Sequence, residues 1–195
     1  EITNGGAVYV DGNLQVGRRW DRGSNNVLAV YPGSTLIARS NLWVISGTNE
    51  LRGGTIRAGK LVMTNGTGRI AFESGTLSID AAEVSNDVPL VVGGVATNAA
   101  LMLGGGQFQF ANGLTVNTNA SLSGAGTVTV VSTWFENYGS VCPGAPLGRL
   151  TLSSPGVVQH AGGSLEIDLD GESAGENYDQ IVCPSTFTTT GSLKL

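Results

Sequence analysis

The densest run of ionisable side chains in the chain is Glu166-Ile167-Asp168-Leu169-Asp170-Gly171-Glu172, followed by Glu176 and Asp179. Read as a strand, alternation sets Glu166, Asp168 and Asp170 on one face and Leu165, Ile167 and Leu169 on the other. A row of carboxylate oxygens suits Ca²⁺, so Asp168, Asp170 and Glu172 are the candidate calcium ligands. The spacing meets neither the EF-hand loop nor the Gly-Gly-x-Gly-x-Asp nonapeptide. The expectation is therefore a solvated outward face, with no resident metal or cofactor. The other acids (Asp11, Asp21, Glu50, Glu73, Asp80, Glu83, Asp87 and Glu136) are scattered singly. Glycan-cleaving enzymes need two or three carboxylates, or carboxylates with Lys or Arg, on one face. No catalytic residue is assigned, and the chain is read as a non-enzyme.

A second group is basic and aromatic: Arg18-Arg19-Trp20-Asp21-Arg22. Arg18, Arg19, Trp20 and Arg22 are the candidate ligand contacts, with the indole as a stacking platform beside guanidiniums that would suit an anionic glycan. The plainer reading is a solvated loop. Two cysteines stand in matched settings, Val141-Cys142-Pro143 and Val182-Cys183-Pro184, which suggests equivalent positions on different structural repeats. Either they form a disulfide closing a loop of about forty residues, worth about 3–4 kcal/mol, or they are two buried free thiols. With His160 they fall short of a four-ligand metal site. No Gly-x-Ser-x-Gly elbow is present, and Gly104-Gly105-Gly106 lacks the Lys and the following helix of a phosphate loop.

The elements that must position these groups are strands. Of 195 residues only 13% are charged, 41% are hydrophobic and 30 are glycine, about half the usual charge and twice the usual glycine. Net charge is −5, against a nucleic-acid partner, which calls for clustered Lys and Arg. No run of about 18 apolar residues is present to form a membrane-spanning helix. The chain opens Glu1-Ile2-Thr3-Asn4 without a basic-then-apolar leader and is read as mature or cut from a longer parent.

One pattern recurs: glycine, then alternating apolar and polar residues. It appears as Gly12-Asn13-Leu14-Gln15-Val16, Gly59-Lys60-Leu61-Val62-Met63, Gly75-Thr76-Leu77-Ser78-Ile79, Gly113-Leu114-Thr115-Val116 and Gly126-Thr127-Val128-Thr129-Val130. It returns as Gly148-Arg149-Leu150-Thr151-Leu152, Gly163-Ser164-Leu165-Glu166-Ile167 and Gly191-Ser192-Leu193-Lys194-Leu195. This is the period of a half-buried strand, each copy opening at a residue that accepts positive φ. No helical stripe persists, so essentially no α-helix is expected. Stereotyped units with glycine always on the N-terminal side fit a single-stranded, right-handed parallel β-helix, in which each coil repeats one inward row. The runner-up is a β-sandwich, with Asp11-Gly12, Asn65-Gly66 and Asn112-Gly113 as hairpin turns. Its core would hold more than the 6% aromatic residues present. Trp43, Trp134, Phe135 and Tyr138 are read as buried filling rather than as sugar platforms.

The stretch Asn117 to Leu195 resembles passenger regions built from bacterial autotransporter-associated β-strand repeats. The resemblance rests on Ala120-Ser121-Leu122-Ser123-Gly124-Ala125-Gly126-Thr127-Val128, Asn137-Tyr138-Gly139-Ser140-Val141-Cys142-Pro143-Gly144 and Pro146-Leu147-Gly148-Arg149-Leu150-Thr151-Leu152. Ala161-Gly162-Gly163-Ser164-Leu165-Glu166-Ile167 and Tyr178-Asp179-Gln180-Ile181-Val182 extend it, and Val16 to Leu36 and Leu51 to Ala58 are similar. It implies a right-handed parallel β-helix on a large secreted or surface-displayed bacterial protein. The expectation is one β-solenoid over residues 1–195, a segment of a longer repeat protein and structural or adhesive in role; the alternatives are a glycan- or protein-binding module and a fragment of a β-helical polysaccharide-degrading enzyme. Partners are expected from the residues themselves: surface glycans at the arginine–tryptophan loop, or further copies of the chain, end to end or laterally, through the unpaired edge of a coil. Two features depart from the family: the cysteines, and the lack of a ten-residue-strand membrane barrel.

Overall fold

The computed structural model describes residues 1–18, 26–64, 66–94, 98–144, 147–173 and 176–195. Among the described residues there are eighteen strands, beginning with β1 (Ala7–Val10), β2 (Leu14–Val16), β3 (Val27–Val30), β4 (Thr35–Val44), β5 (Gly47–Met63) and β6 (Gly68–Val84). Next come β7 (Leu90–Val92), β8 (Ala99–Phe110), β9 (Leu114–Val116), β10 (Ala120–Val130), β11 (Phe135–Asn137) and β12 (Ser140–Pro143). The last are β13 (Arg149–Ser153), β14 (Gly156–Gln159), β15 (Ser164–Glu166), β16 (Gln180–Val182), β17 (Thr186–Thr189) and β18 (Ser192–Lys194). There is no helix among the described residues. Every pairing between these strands is parallel.

The architecture is a right-handed β-solenoid, which excludes the sandwich: Asp11-Gly12 and Asn112-Gly113 close no hairpin, and Asn65 lies outside the described residues. The chain stacks three faces. On the first, nine strands follow one another in the order β1-β4-β5-β6-β8-β10-β12-β15-β18. At the usual parallel spacing of about 4.8 Å, that column is about 40 Å tall. One inward row runs Val8, Leu36, Ile56, Leu77, Leu101, Leu122, Val141, Leu165, Leu193. Beside it runs a row of small and hydroxyl residues: Ala7, Thr35, Thr55, Thr76, Ala100, Ser121, Ser140, Ser164, Ser192. The second face stacks Leu14, Leu42, Leu61, Ala82, Phe108, Val128 and Leu152. The third stacks Leu90, Leu114, Phe135, Val157 and Phe187. Because both sides of each rung are covered by like residues, Leu36, Leu42, Leu61, Leu77 and Leu101 are fully buried, each contributing about 1.5–3 kcal/mol.

The glycines work differently from the expectation. Gly75, Gly113 and Gly126 do hold positive φ, 95°, 121° and 118°. Gly59, Gly163 and Gly191 do not. There the constraint is proximity: a Cβ would stand 2.6, 2.6 and 2.3 Å from a carbonyl oxygen of the neighbouring coil. Between the faces, asparagines satisfy backbone carbonyls exposed at the corners. Asn86 donates to Gly68 O at 2.8 Å, Asn117 to Gly93 O at 2.7 Å and Asn137 to Ser164 O at 3.1 Å.

The acidic run departs from strand geometry after its first residue. β15 ends at Glu166, and the chain leaves the stack in an excursion closed by an antiparallel bridge between Leu169 and Tyr178. Leu169 is consequently exposed, and the expected alternation of carboxylates against Leu165, Ile167 and Leu169 does not continue past the strand.

Candidate functional site

Alternation on β11 sorts the aromatic cluster into two sets. Phe135 and Asn137 point inward, Asn137 because its side chain donates to Ser164 O and accepts from Gly139 N at 3.0 Å. The residues between and beyond them, Trp134, Glu136 and Tyr138, therefore share the outward face of the third side. Parallel register adds neighbours from adjoining coils: Thr115 lies beside Glu136 on β9, and Val158 on β14. One residue past Gln159, His160 falls against Tyr138, and the two rings stack 3.8 Å apart and 5° from parallel. Its Nε2 stands 3.4 Å from Glu136 Oε1, an ion pair when the imidazole is protonated, though not aligned as a hydrogen bond.

Trp134 is 56% exposed, against the expectation that it fills the coil. Its indole lies over Gly156, where three ring atoms would be 3.5–3.6 Å from a Cβ. Beside it opens a cleft of about 450 Å³ lined by Pro89, Asn112, Thr115, Ser132, Thr133 and Glu136 with Trp134 and Gly113. Gly113 is part of its lining, and a Cβ there would come 2.7 Å from the Thr133 hydroxyl. Asn112 is fixed in the wall by donating to the Asn86 carbonyl. The sequence signal for this site is the spacing Trp134-x-Glu136-x-Tyr138, one face of one strand, obscured by the inward Asn137.

The other candidates fare differently. Arg18 is exposed at its side chain and anchored by its backbone: its N–H donates to Ser46 Oγ at 3.0 Å, and that hydroxyl donates to Arg18 O at 2.8 Å. Arg19, Trp20 and Arg22 lie outside the described residues. Asp168, Asp170 and Glu172 are exposed, and no group of three His, Cys, Asp or Glu side chains converges among the described residues. Asp179, by contrast, is buried: its carboxylate accepts from Gly148 N at 2.9 Å and Asp168 N at 3.1 Å. It closes the base of the excursion instead of offering oxygens outward.

Both cysteines are free thiols, and they are not equivalent. Val141 pairs with Leu165 on the first face, setting Cys142 outward opposite Glu166. Val182 pairs with Thr151 on the second face, setting Cys183 against the core. Burial, together with the Glu166 carboxylate that Cys142 donates to at 3.2 Å, pushes the Cys142 thiol above its ordinary value. Glu166 also accepts from Lys194 Nζ at 2.7 Å and Ser164 Oγ at 3.2 Å. The Lys194 bond foremost, then the thiol, lowers its carboxyl from 4.5 to about 2.

Neither a protein-family model, nor a curated protein, nor a solved structure matches this chain.

Proposed function

We propose that this chain is a segment of a secreted or surface-displayed bacterial β-solenoid protein, of the autotransporter-associated repeat kind, and that it works as a structural and adhesive rod without catalysing a reaction. The observation that carries this reading is the unbroken first face, where nine strands repeat the same pairing of a small or hydroxyl residue with an aliphatic one. Such a stack turns its inward aliphatic row to holding coil on coil. It leaves the outward positions, where alternation places Tyr9, Arg57, Met102 and Lys194 in one column, free to vary in what they present. A rigid column presenting side chains at fixed intervals suits adhesion, because a pre-ordered surface loses little conformational freedom on contact. Association of copies end to end or side by side would extend the same surface.

The test couples the purified chain to beads and measures their retention on surfaces coated with bacterial and host polysaccharides. The same polysaccharides are incubated with the chain in solution and assayed for new reducing ends. Retention without new reducing ends is the expected result. Sustained release of reducing ends, abolished by Asp168→Asn or Glu136→Gln, would replace the rod by an enzyme. Beads that hold to no surface, with ordered assemblies in electron micrographs, would leave the structural half and remove the adhesive one.

A further inference from the structure

We propose that the cleft beside Trp134 is a glycan subsite that takes one uncharged hexopyranose unit, with the indole stacking on the sugar ring and Glu136 and Thr115 meeting its hydroxyls. The proposal rests on the adhesive reading above and gives it a ligand class and an address.

Four observations converge on it. The cleft's volume of about 450 Å³ lies within the roughly 300–1,000 Å³ typical of small-ligand sites. Its lining combines one large aromatic surface with several hydrogen-bonding side chains, Asn112, Thr115, Ser132, Thr133 and Glu136. That is the complement of a pyranose, which carries an apolar C–H face and a rim of hydroxyls; Trp is the side chain that offers a broad apolar plate at a wet surface. The plate is also available: Trp134 is 56% exposed, whereas Phe108, Phe110 and Phe135 are buried in the core. Finally, the polar partner is held in place before any ligand arrives. Glu136 sits on a strand hydrogen-bonded on both sides, beside Thr115 in one coil, and within 3.4 Å of His160 in the other. Pre-positioning of this kind lowers the ordering cost of binding.

The charge selects within the glycans. Among the described residues the only ionisable one in the lining is Glu136, and the chain carries a net −5, so an anionic sugar would meet repulsion. A cationic group such as a lysine side chain is the other partner a Trp–Glu pair attracts. Cation recognition, however, favours several aromatic faces around the charge, and this lining holds a single aromatic ring among hydroxyls and an amide. A polyol can use both the donors and the acceptors of those groups, whereas an ammonium, which only donates, can use their oxygens alone.

The experiment is saturation-transfer NMR and glycan-array binding on the full chain, with cellohexaose, maltohexaose and mannohexaose as neutral probes and poly-lysine as the cationic one. At least one neutral hexasaccharide is expected to bind. Trp134→Ala should weaken it about tenfold, the loss of roughly 1.4 kcal/mol of stacking, with Trp134→Phe intermediate. Glu136→Gln keeps a hydroxyl-bonding side chain and should cost less than Trp134→Ala. Since the indole is largely exposed, an unchanged melting temperature of Trp134→Ala shows that the variant is folded. Neutral-glycan binding that survives Trp134→Ala in a folded protein places the ligand elsewhere and overturns the site while leaving adhesion intact. Binding of poly-lysine alone, abolished by Glu136→Gln, overturns the ligand class. Wild-type protein that binds no glycan on the array and holds to no coated surface removes the adhesive reading and the site together.

Discussion

The coils around Leu77 and those around Leu193 are built from nearly the same words. Gly75-Thr76-Leu77-Ser78-Ile79 and Gly191-Ser192-Leu193-Lys194-Leu195 occupy the same column, and their leucines lie in the same inward row. Yet Leu77 is 0% exposed and Leu193 is 61% exposed. In the middle of the column the long strands β5 and β6, 17 residues each, run through all three faces of a coil with alternate residues buried. At the C-terminal end of the described chain β16, β17 and β18 are short and half-buried or exposed throughout. Alternation decides which way a side chain points. Whether that direction is dry depends on the rungs above and below. A solenoid's core is a property of adjacent coils jointly, the nearest-neighbour regime of repeat proteins.

The sharpest way to break the comparison is truncation of matched leucines. Leu77→Ala should destabilise by about 2–5 kcal/mol, and Leu193→Ala by no more than about 0.5 kcal/mol. Chemical denaturation followed by circular dichroism reads both, and equal losses would refute the account of burial. Of intermediate size is Asp179→Ala, which leaves two amides at the base of the excursion without their acceptor. It should cost about 1–3 kcal/mol locally, seen as faster hydrogen exchange at Gly148 and Asp168 with the central coils unaffected. The smallest effect is electrostatic. Glu166 has a folded-state value near 2 against an ordinary 4.5, so its charged form is favoured in the native protein. Its stabilisation is fully present above about 4.5 and fades as pH falls from there toward 2. Because the Glu166–Lys194 pair is well exposed to solvent, the gain is screened and modest. Exchange protection at Ser192–Lys194 should fall over that pH window in the wild type and stay flat in Glu166→Gln.

Much of the fold was legible in the sequence, and its limits are physical. Glycine followed by alternating apolar residues marks a strand correctly in every copy. It does not mark the face, because all three faces ask for the same inward aliphatic. Gly75, Gly163 and Gly191 precede first-face segments, Gly59, Gly126 and Gly148 second-face segments, and Gly113 a third-face segment. That is why the copies are irregularly spaced. The same ambiguity misassigned the cysteines: Val-Cys-Pro reports the end of a strand, and the two ends lie on different sides of the coil. The site was harder still. An inward asparagine at 137 breaks the apolar rhythm that would have fixed the phase of Trp134 and Phe135, and only the bonds it makes to Ser164 and Gly139 show why it faces in. His160 joins Glu136 from another coil, a proximity set by register and invisible to local spacing.

The excursion closed by Leu169 and Tyr178 has a wider consequence. The chain leaves the column after Glu166 and rejoins it at Gln180, where Arg149 and Leu150 receive Gln180 and Ile181 in unbroken register. This corner of the molecule thus carries extra sequence without disturbing the stack, as a bookshelf takes a bracket on its edge. Variation gathered at such points would alter what the surface offers while the scaffold that bears it stays constant.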